Sequence, residues 1–599
     1  MNEDRRLWQR TLGKRISRRK ALGAAVVGTS ALAGGLALGC KEDKDETVVD
    51  EGGTPLPGRD QPTPGGTYVG VMADLYNQDP HKATAFLTYV FASWIYSRLM
   101  RYDSVRGELP AERWFTAVPE LGEKVENPDP LTYTFTLNPT ARWQDIDPTF
   151  GREVTAEDVV FPFNRYRDLS RGQGTLAAVV DSVTAPDSRT VTFKAKHPFP
   201  LFLTRIASYQ DLWILPPELI EADGDAEKRS VGSGPFMLDH YRRSEEFEFF
   251  RNPNYFEKDQ WGNQLPYIER MRLLVIPDPN TQVTQFIAGK LFGIAILPML
   301  LPEAISALPN LRINRMLRDL TSFLYFEPAT YTDNKGPFND VRVRRAISLA
   351  IDRDGLLALV RAPIDETGGE WCNMVPAGLG KQWWVNPKSD DMGEAAKWYK
   401  HDIGEAKKLL EAAGYGDGFQ TKLHFSSTVY NNIIPYYPVV AEALPNLMKD
   451  IAVATTSAPE DYIGQYFPQT YSQGNFDGMA WGLQSNFTDV VAYLSVSFLP
   501  FGEGGYRNMS RVNDPELVAK IEEMARQTDV ESVRERSADI QRYISDMMYY
   551  VPVINGIDYA VSQGWGSTPI NSTGPSGTYG LGTESSMWGW IYPEYQNRG

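Results

Sequence analysis

Apolar positions along this chain recur with two periods, and each period predicts an element. Leu131, Tyr133, Phe135 and Leu137 alternate with Thr132, Thr134 and Thr136, the period of a strand with one covered face. Val191, Phe193 and Ala195 repeat that pattern against Thr192, Lys194 and Lys196. Farther on, Val343, Ala346, Ile347, Ala350 and Ile351 fall at helical spacing and predict one buried stripe, with Arg342, Arg344 and Arg345 on solvated faces. Boundary chemistry agrees. Thr155 followed by Asp158 suits a helix start. Asp402 opens a helix whose stripe is Ala406, Leu409, Leu410 and Ala413 and whose stop is Gly414, and Asp514-Pro515 opens a later one. Helices mixed with strands from Thr67 onward predict an α/β or α+β body without a fixed-period repeat.

At 599 residues the chain exceeds what one core usually serves, so two or more domains are expected. Aromatic residues reach 12%, which leaves ring surface for packing or ligand contact. Residues 1–20 hold eight Lys/Arg against two Asp/Glu, although the whole chain carries a formal charge of -16. So acidic a body repels nucleic acid, whose phosphates need clustered cations. Five histidines show no i, i+4 pairing and no cysteine partner at ligand spacing, so neither a built-in metal nor a cofactor is expected. Cys40 and Cys372 are the only cysteines. Once Cys40 is committed as described next, Cys372 is read as a buried, inert thiol.

Arg18-Arg19 stands before the apolar, glycine-rich run Ala21 to Gly39, which ends at Cys40. The layout resembles a twin-arginine leader joined to a bacterial lipoprotein cleavage site, which implies export, lipid modification of Cys40 and a location on the outer face of the membrane or in the periplasm. Residues 1–40 are read as the leader. Residues 41–66, charged and then rich in Pro, Gly and Thr, are read as a flexible tether.

Six ordered segments carry a second resemblance: Leu131 to Leu137, Val154-Thr155-Ala156-Glu157-Asp158-Val159-Val160, Val231-Gly232-Ser233-Gly234-Pro235-Phe236, Arg251-Asn252-Pro253-Asn254-Tyr255, Phe338 to Ile347, and Ala406 to Tyr415. Together they are similar to the extracellular solute-binding proteins of oligopeptide, dipeptide and nickel ABC importers. The resemblance implies a two-lobed periplasmic-binding-protein fold with an extra subdomain on one lobe. On that analogy 67–105, 200–310 and 490–599 form lobe I, 106–199 the subdomain and 311–489 lobe II. It also implies a monomer that shuts on a small-molecule or peptide ligand and delivers it to an ABC permease, without catalysis. Gly232-Ser233-Gly234-Pro235 itself reads as a tight turn, since its spacing matches no phosphate loop.

In peptide-binding members of that class an aspartate soon after a tryptophan holds the ligand's amine, and an arginine on the opposing lobe holds its carboxylate in dipeptide binders. The corresponding stretch here, Trp481-Gly482-Leu483-Gln484, puts a neutral amide at the aspartate's place, with Asp489 as a second candidate for the amine. Around Tyr430 and Asn431 no arginine follows. Trp481, Gln484, Asn486, Asp489, Tyr430, Asn431 and Trp371 are the candidate ligand residues, and rings with neutral amides predict a sugar or uncharged solute over a dipeptide. The competing classes are an exported hydrolase such as a glycosidase, which would hide its acids at distant positions, and a ligand-sensing receptor without transport.

Overall fold

In the computed structural model of the protein, the residues described are 62–75, 77–82, 86–102, 116–169, 176–259, 261–308, 311–318, 320–329, 333, 336–363, 365, 368–427, 436–485, 489–567, 575–576 and 589–591. Cys40, Tyr430, Asn431 and Asn486 lie outside them, as do the leader and most of the tether. The fold is α/β and two-lobed.

The first lobe begins with a four-stranded sheet in the order Thr67–Val71, Arg270–Leu274, Glu246–Arg251, Phe236–Arg242. The first pair is parallel and the others are antiparallel. Alternation puts Phe247, Phe249, Met271 and Leu273 on one face, where helix α1 (Phe86–Ile95) lays Phe91 against Phe247 and Phe249 at about 6 Å between ring centroids. The Gly232-Ser233-Gly234-Pro235 turn passes the end of α1 so closely that a Cβ on Gly232 would lie 2.0 Å from the Ile95 carbonyl oxygen. Gly234 donates to that same oxygen at 2.8 Å, so the glycines serve close backbone packing.

The subdomain is an antiparallel sheet in the order Gly122–Asp129, Thr132–Leu137, Thr190–Ala195, Val180–Asp187. The two strands read from alternation pair with each other and bury Tyr133, Phe135, Val191 and Phe193 beneath the helix Glu157–Asp168. Asp158 accepts from the Thr155 backbone N–H at 2.8 Å, the reaching-back half of the predicted cap. The short helix α2 (Phe202–Ile206) seals this core, Phe202 stacking on Tyr133 at 3.9 Å.

Another sheet pairs Gly293–Ile296 and β1 (Arg312–Arg318) with the strand 554–562 between them. One residue beyond β1 the chain enters β2 (Leu320–Phe326), which belongs to the second lobe. There helix α3 (Val341–Ala350) is capped by Asp340, which accepts from Arg342 N at 2.8 Å. The lobe's sheet runs Val453–Glu460, Phe419–Ser426, β3 (Met479–Ser485), β2 and finally the two-residue strand 551–552. On one face α3 and its neighbours cover Leu324, Phe326, Met479 and Trp481. On the other, Phe323, Tyr325 and Ala480 pack with α4 (Val490–Phe498) and α5 (Val530–Met547). The chain leaves through β4 (Val551–Pro552) and returns to the first lobe as β5 (Ile554–Ser562).

The chain therefore passes between the lobes twice, from β1, which ends at Arg318, to β2, which begins at Leu320, and at Val553 between β4 and β5. Ser322 ties them together: its carbonyl accepts from Val553 N at 3.0 Å and its hydroxyl accepts from Ile554 N at 3.2 Å. Paired short crossings of this kind form a hinge.

Two expectations change. Residues 490–552 were assigned to lobe I, whereas α4, α5 and β4 pack on the second lobe's sheet and only the strand from Ile554 onward rejoins the first. The helical stripe predicted α3 but not the fate of Arg344, which is 3% exposed. Its guanidinium donates to the carbonyls of Phe338, Asn339, Met547 and Met548, the last two at the end of α5. A planar fork satisfying orphan carbonyls explains why this arginine is buried.

Candidate functional site

Strand β3 sends alternate side chains to opposite faces, and this separates two residues that sequence places together. Trp481 points into the second lobe's core, 0% exposed, with its ring against Tyr437 at 5.6 Å and its indole N–H without a partner. It is not offered to a ligand in this conformation. Gln484 lies on the opposite face, equally buried, where its Oε1 accepts from Tyr325 at 3.2 Å and its amide nitrogen donates to Ser497 of α4. Nearby Tyr493 donates to Thr321 at 3.0 Å. The amide is thus held in a hydroxyl network within its own lobe.

Asp489 stands at the start of α4, where Oδ1 accepts from Ala492 N at 2.8 Å, an ordinary cap. Its other oxygen crosses between lobes. Oδ2 accepts from Nε of Arg205 on α2 at 2.5 Å, and the two side chains are 3% and 1% exposed. The Arg205 guanidinium also lies 4.9 Å over Phe199. Burial pulls its pKa down, but the charge and hydrogen bond of Asp489, with Asp211 and Tyr166 beyond, raise it on balance, so the guanidinium keeps its charge. Around it Phe202 and Ile206 of the first lobe share one apolar cluster with Val490, Val491 and Leu494 of the second, so the lobes are in contact.

Arg507, half-buried in the loop after α4, is a third charged group. Its side chain lies 5.9 Å from the Tyr506 ring. Burial lowers its pKa, and the phenol groups of Tyr506, Tyr471, Tyr209 and Tyr89 more than offset this. Tyr89 on α1 and Tyr209 belong to the first lobe and meet edge-on at 5.6 Å, whereas Tyr471 belongs to the second. Phenols of both lobes thus act electrostatically on Arg507. Sequence reasoning sought an arginine near Tyr430 and missed this one. Arg205 was missed as well, although a lone cation in the apolar run Phe202-Leu203-Thr204-Arg205-Ile206 signals a buried charge that needs a partner.

Trp371 lies apart from this group. Its strand Gly369–Trp371 pairs with β5, its indole donates to Asp354 at 2.8 Å, and Lys388 sits 4.3 Å over its ring. Cys372 is buried beside Ser322, and burial pushes its thiol up to about 11. Asp239, His240 and Glu248 bring three ligand atoms within 4.8 Å on the first lobe's sheet. Arg270 pairs with Glu248 there and His240 is bonded to Asp239, which makes an ion-pair lattice. Among the described residues no helix is long and apolar enough to cross a membrane.

Two lobes joined by a pair of strand connections, with charged and aromatic groups from both in one region, are the architecture of a binding protein. Comparison with known proteins gives the same class. Residues 116–505 match the bacterial extracellular solute-binding proteins, family 5 Middle, and the chain belongs to that family. Heme-binding protein A of Haemophilus influenzae is 24% identical over 503 residues, covering 78% of this chain and 82% of the relative. The ABC transporter-associated periplasmic binding protein DppA of Helicobacter pylori, in complex with the peptide STSA, superposes with a TM-score of 0.70 at 21% identity, covering 88% of this chain and 99% of that one. MoaA of A. tumefacien R10, in complex with mannopinic acid, gives 0.70 at 21% identity, covering 88% and 100%. The family is one of binding proteins and not of enzymes.

Proposed function

We propose that this protein captures a small polar solute between its lobes and hands it intact to an ABC import permease, working as an exported monomer anchored by a lipid on Cys40. The observation that carries the reading is the pair of strand connections beneath an interlobe face of buried charges and phenols, in a chain of this family. Closure works as capture when the guest contacts both lobes only in the shut state, and a permease then reads the shut shape.

The ligand class follows from the charges. Gln484 is neutral and its amide is engaged by Tyr325 and Ser497, and Asp489 is neutralised by Arg205, so neither supports recognition of an ammonium group. Arg507 among Tyr89, Tyr209 and Tyr471 supports an anionic group on a hydroxylated or amide-bearing solute. This moves the expectation from an uncharged solute to one with a carboxylate and without a required amine. Related structures hold a peptide and mannopinic acid, both of which carry carboxylates.

Thermal unfolding with matched probes tests the reading. N-acetyl-dialanine and gluconate should raise Tm more than dialanine amide and glucose, and Arg507→Gln should remove the difference. At about a hundred times Kd, a bound probe stabilises by about 2.7 kcal/mol, a readily measured shift. Equal or larger shifts with the amide and the neutral sugar would contradict it.

A further inference from the structure

Arg205 has two carboxylates within its influence, one on each lobe. Asp489 holds it now, at 2.5 Å from Nε. Asp211, on the first lobe and six residues beyond Arg205, is 1% exposed. Its Oδ1 accepts from Tyr166 at 2.8 Å and from Leu176 N at 3.1 Å, while its Oδ2 is buried with no hydrogen-bond partner. A buried carboxylate oxygen left unsatisfied is costly, and a guanidinium turned toward it would satisfy it. Asp211 already acts on Arg205 electrostatically.

We propose that Arg205 is a two-position closure clamp, bonded to Asp489 when the lobes are shut and to Asp211 when they part. The pair is an intramolecular stand-in for guest contacts. It spans the lobes with no ligand atom involved, so it biases the empty protein toward closure. Asp211 limits that bias. It keeps the guanidinium paired on opening, which avoids the several kcal/mol that an isolated buried charge would cost. Asp489 caps α4 in either state, so its orientation is fixed by the helix and only Arg205 has to move. The equilibrium is then set by the difference between two similar ion pairs, which a guest can tip with modest differential affinity. Neither the phenols nor Arg507 is part of this device. It governs how readily the lobes shut, whatever the guest.

The clamp rests on the hinged reading given above, and one scattering series separates the two. The radius of gyration is measured for the purified protein, for the same protein stripped of bound solute by unfolding and refolding, and for stripped Asp489→Asn, Arg205→Gln and Asp211→Asn. Stripped Asp489→Asn and Arg205→Gln should be larger than stripped wild type. Asp211→Asn, which deprives only the open state of its pair, should be smaller. The exchange Arg205→Asp with Asp489→Arg should return toward the wild-type value. If the Asp489 and Arg205 variants match stripped wild type, the clamp is overturned, while a surviving difference between loaded and stripped wild type leaves the hinge standing. If loaded and stripped wild type also coincide, the hinge fails with it. Should either of those variants lose its near-ultraviolet circular dichroism, Asp211→Asn decides alone, and a radius equal to or above wild type overturns the clamp.

Discussion

His81 shows how burial sets the charge of a single residue. It is 3% exposed, hydrogen-bonded to the Trp213 carbonyl at 2.8 Å, and flanked by the ion pair of Asp79 and Arg165. Burial is the largest influence and, with the Arg165 charge, lowers its pKa from 6.5 to about 4. The folded state therefore refuses a proton that the unfolded chain accepts. Stability from this residue is fully present above about pH 6.5 and is lost as pH falls toward 4, by about 3 kcal/mol in all. Urea unfolding should show His81→Gln losing less stability than wild type between neutral pH and about pH 5; equal slopes would refute the assignment. Cys372 gives a second test at this scale. With its thiol at about 11 and buried, it should react with Ellman's reagent only after unfolding, and prompt reaction of the native protein would contradict the packing. The inert reading of Cys372 was available from sequence because a lone thiol without charged neighbours is ordinarily core. Arg205 was not, because its partner is 284 positions away.

Elements were the most legible level. Alternation gave the paired strands of the subdomain, and Asp402 and Asp514 cap the helices they were expected to begin. Gly414 has φ of 88°, the left-handed stop. What the periods could not tell is which polar residues on a helix are buried, since carbonyls at the end of another helix are acceptors that no local pattern shows. Arg353 repeats the lesson of Arg344. It is 1% exposed and donates to Pro552 O at 2.7 Å, Tyr399 O at 2.8 Å and Ser348 O at 3.2 Å, which pins β4 just before the second crossing. Burial lowers its pKa to about 10, still charged at neutral pH. Arg353→Met leaves those carbonyls without donors and should destabilise the protein by at least about 3 kcal/mol in urea unfolding; a loss under about 1 kcal/mol would show the bonds to be dispensable.

At the scale of the whole molecule, sequence reached the two-lobed architecture through ordered motifs, and the structure agrees. The partition of the last hundred residues was out of reach, because α4 is apolar on nearly every face and α5 is amphipathic, so either lobe could accept them by composition, and only the neighbouring β3 and β4 show which sheet they cover. The surroundings of the candidate ligand residues were out of reach for a related reason. Gln484 and Asp489 stand where the motif points, but their roles depend on Tyr325, Ser497 and Arg205, which come from other elements. The central claim is that two lobes swing about the connections between β1 and β2 and between β4 and β5 and enclose a guest. Its most direct test is an electron-spin distance measurement between labels on Lys194 of the subdomain and Glu442 of the second lobe, both exposed. The distance should shorten and its distribution narrow when N-acetyl-dialanine or the co-purified solute is added to stripped protein. Identical distributions with and without the bound solute would contradict the account.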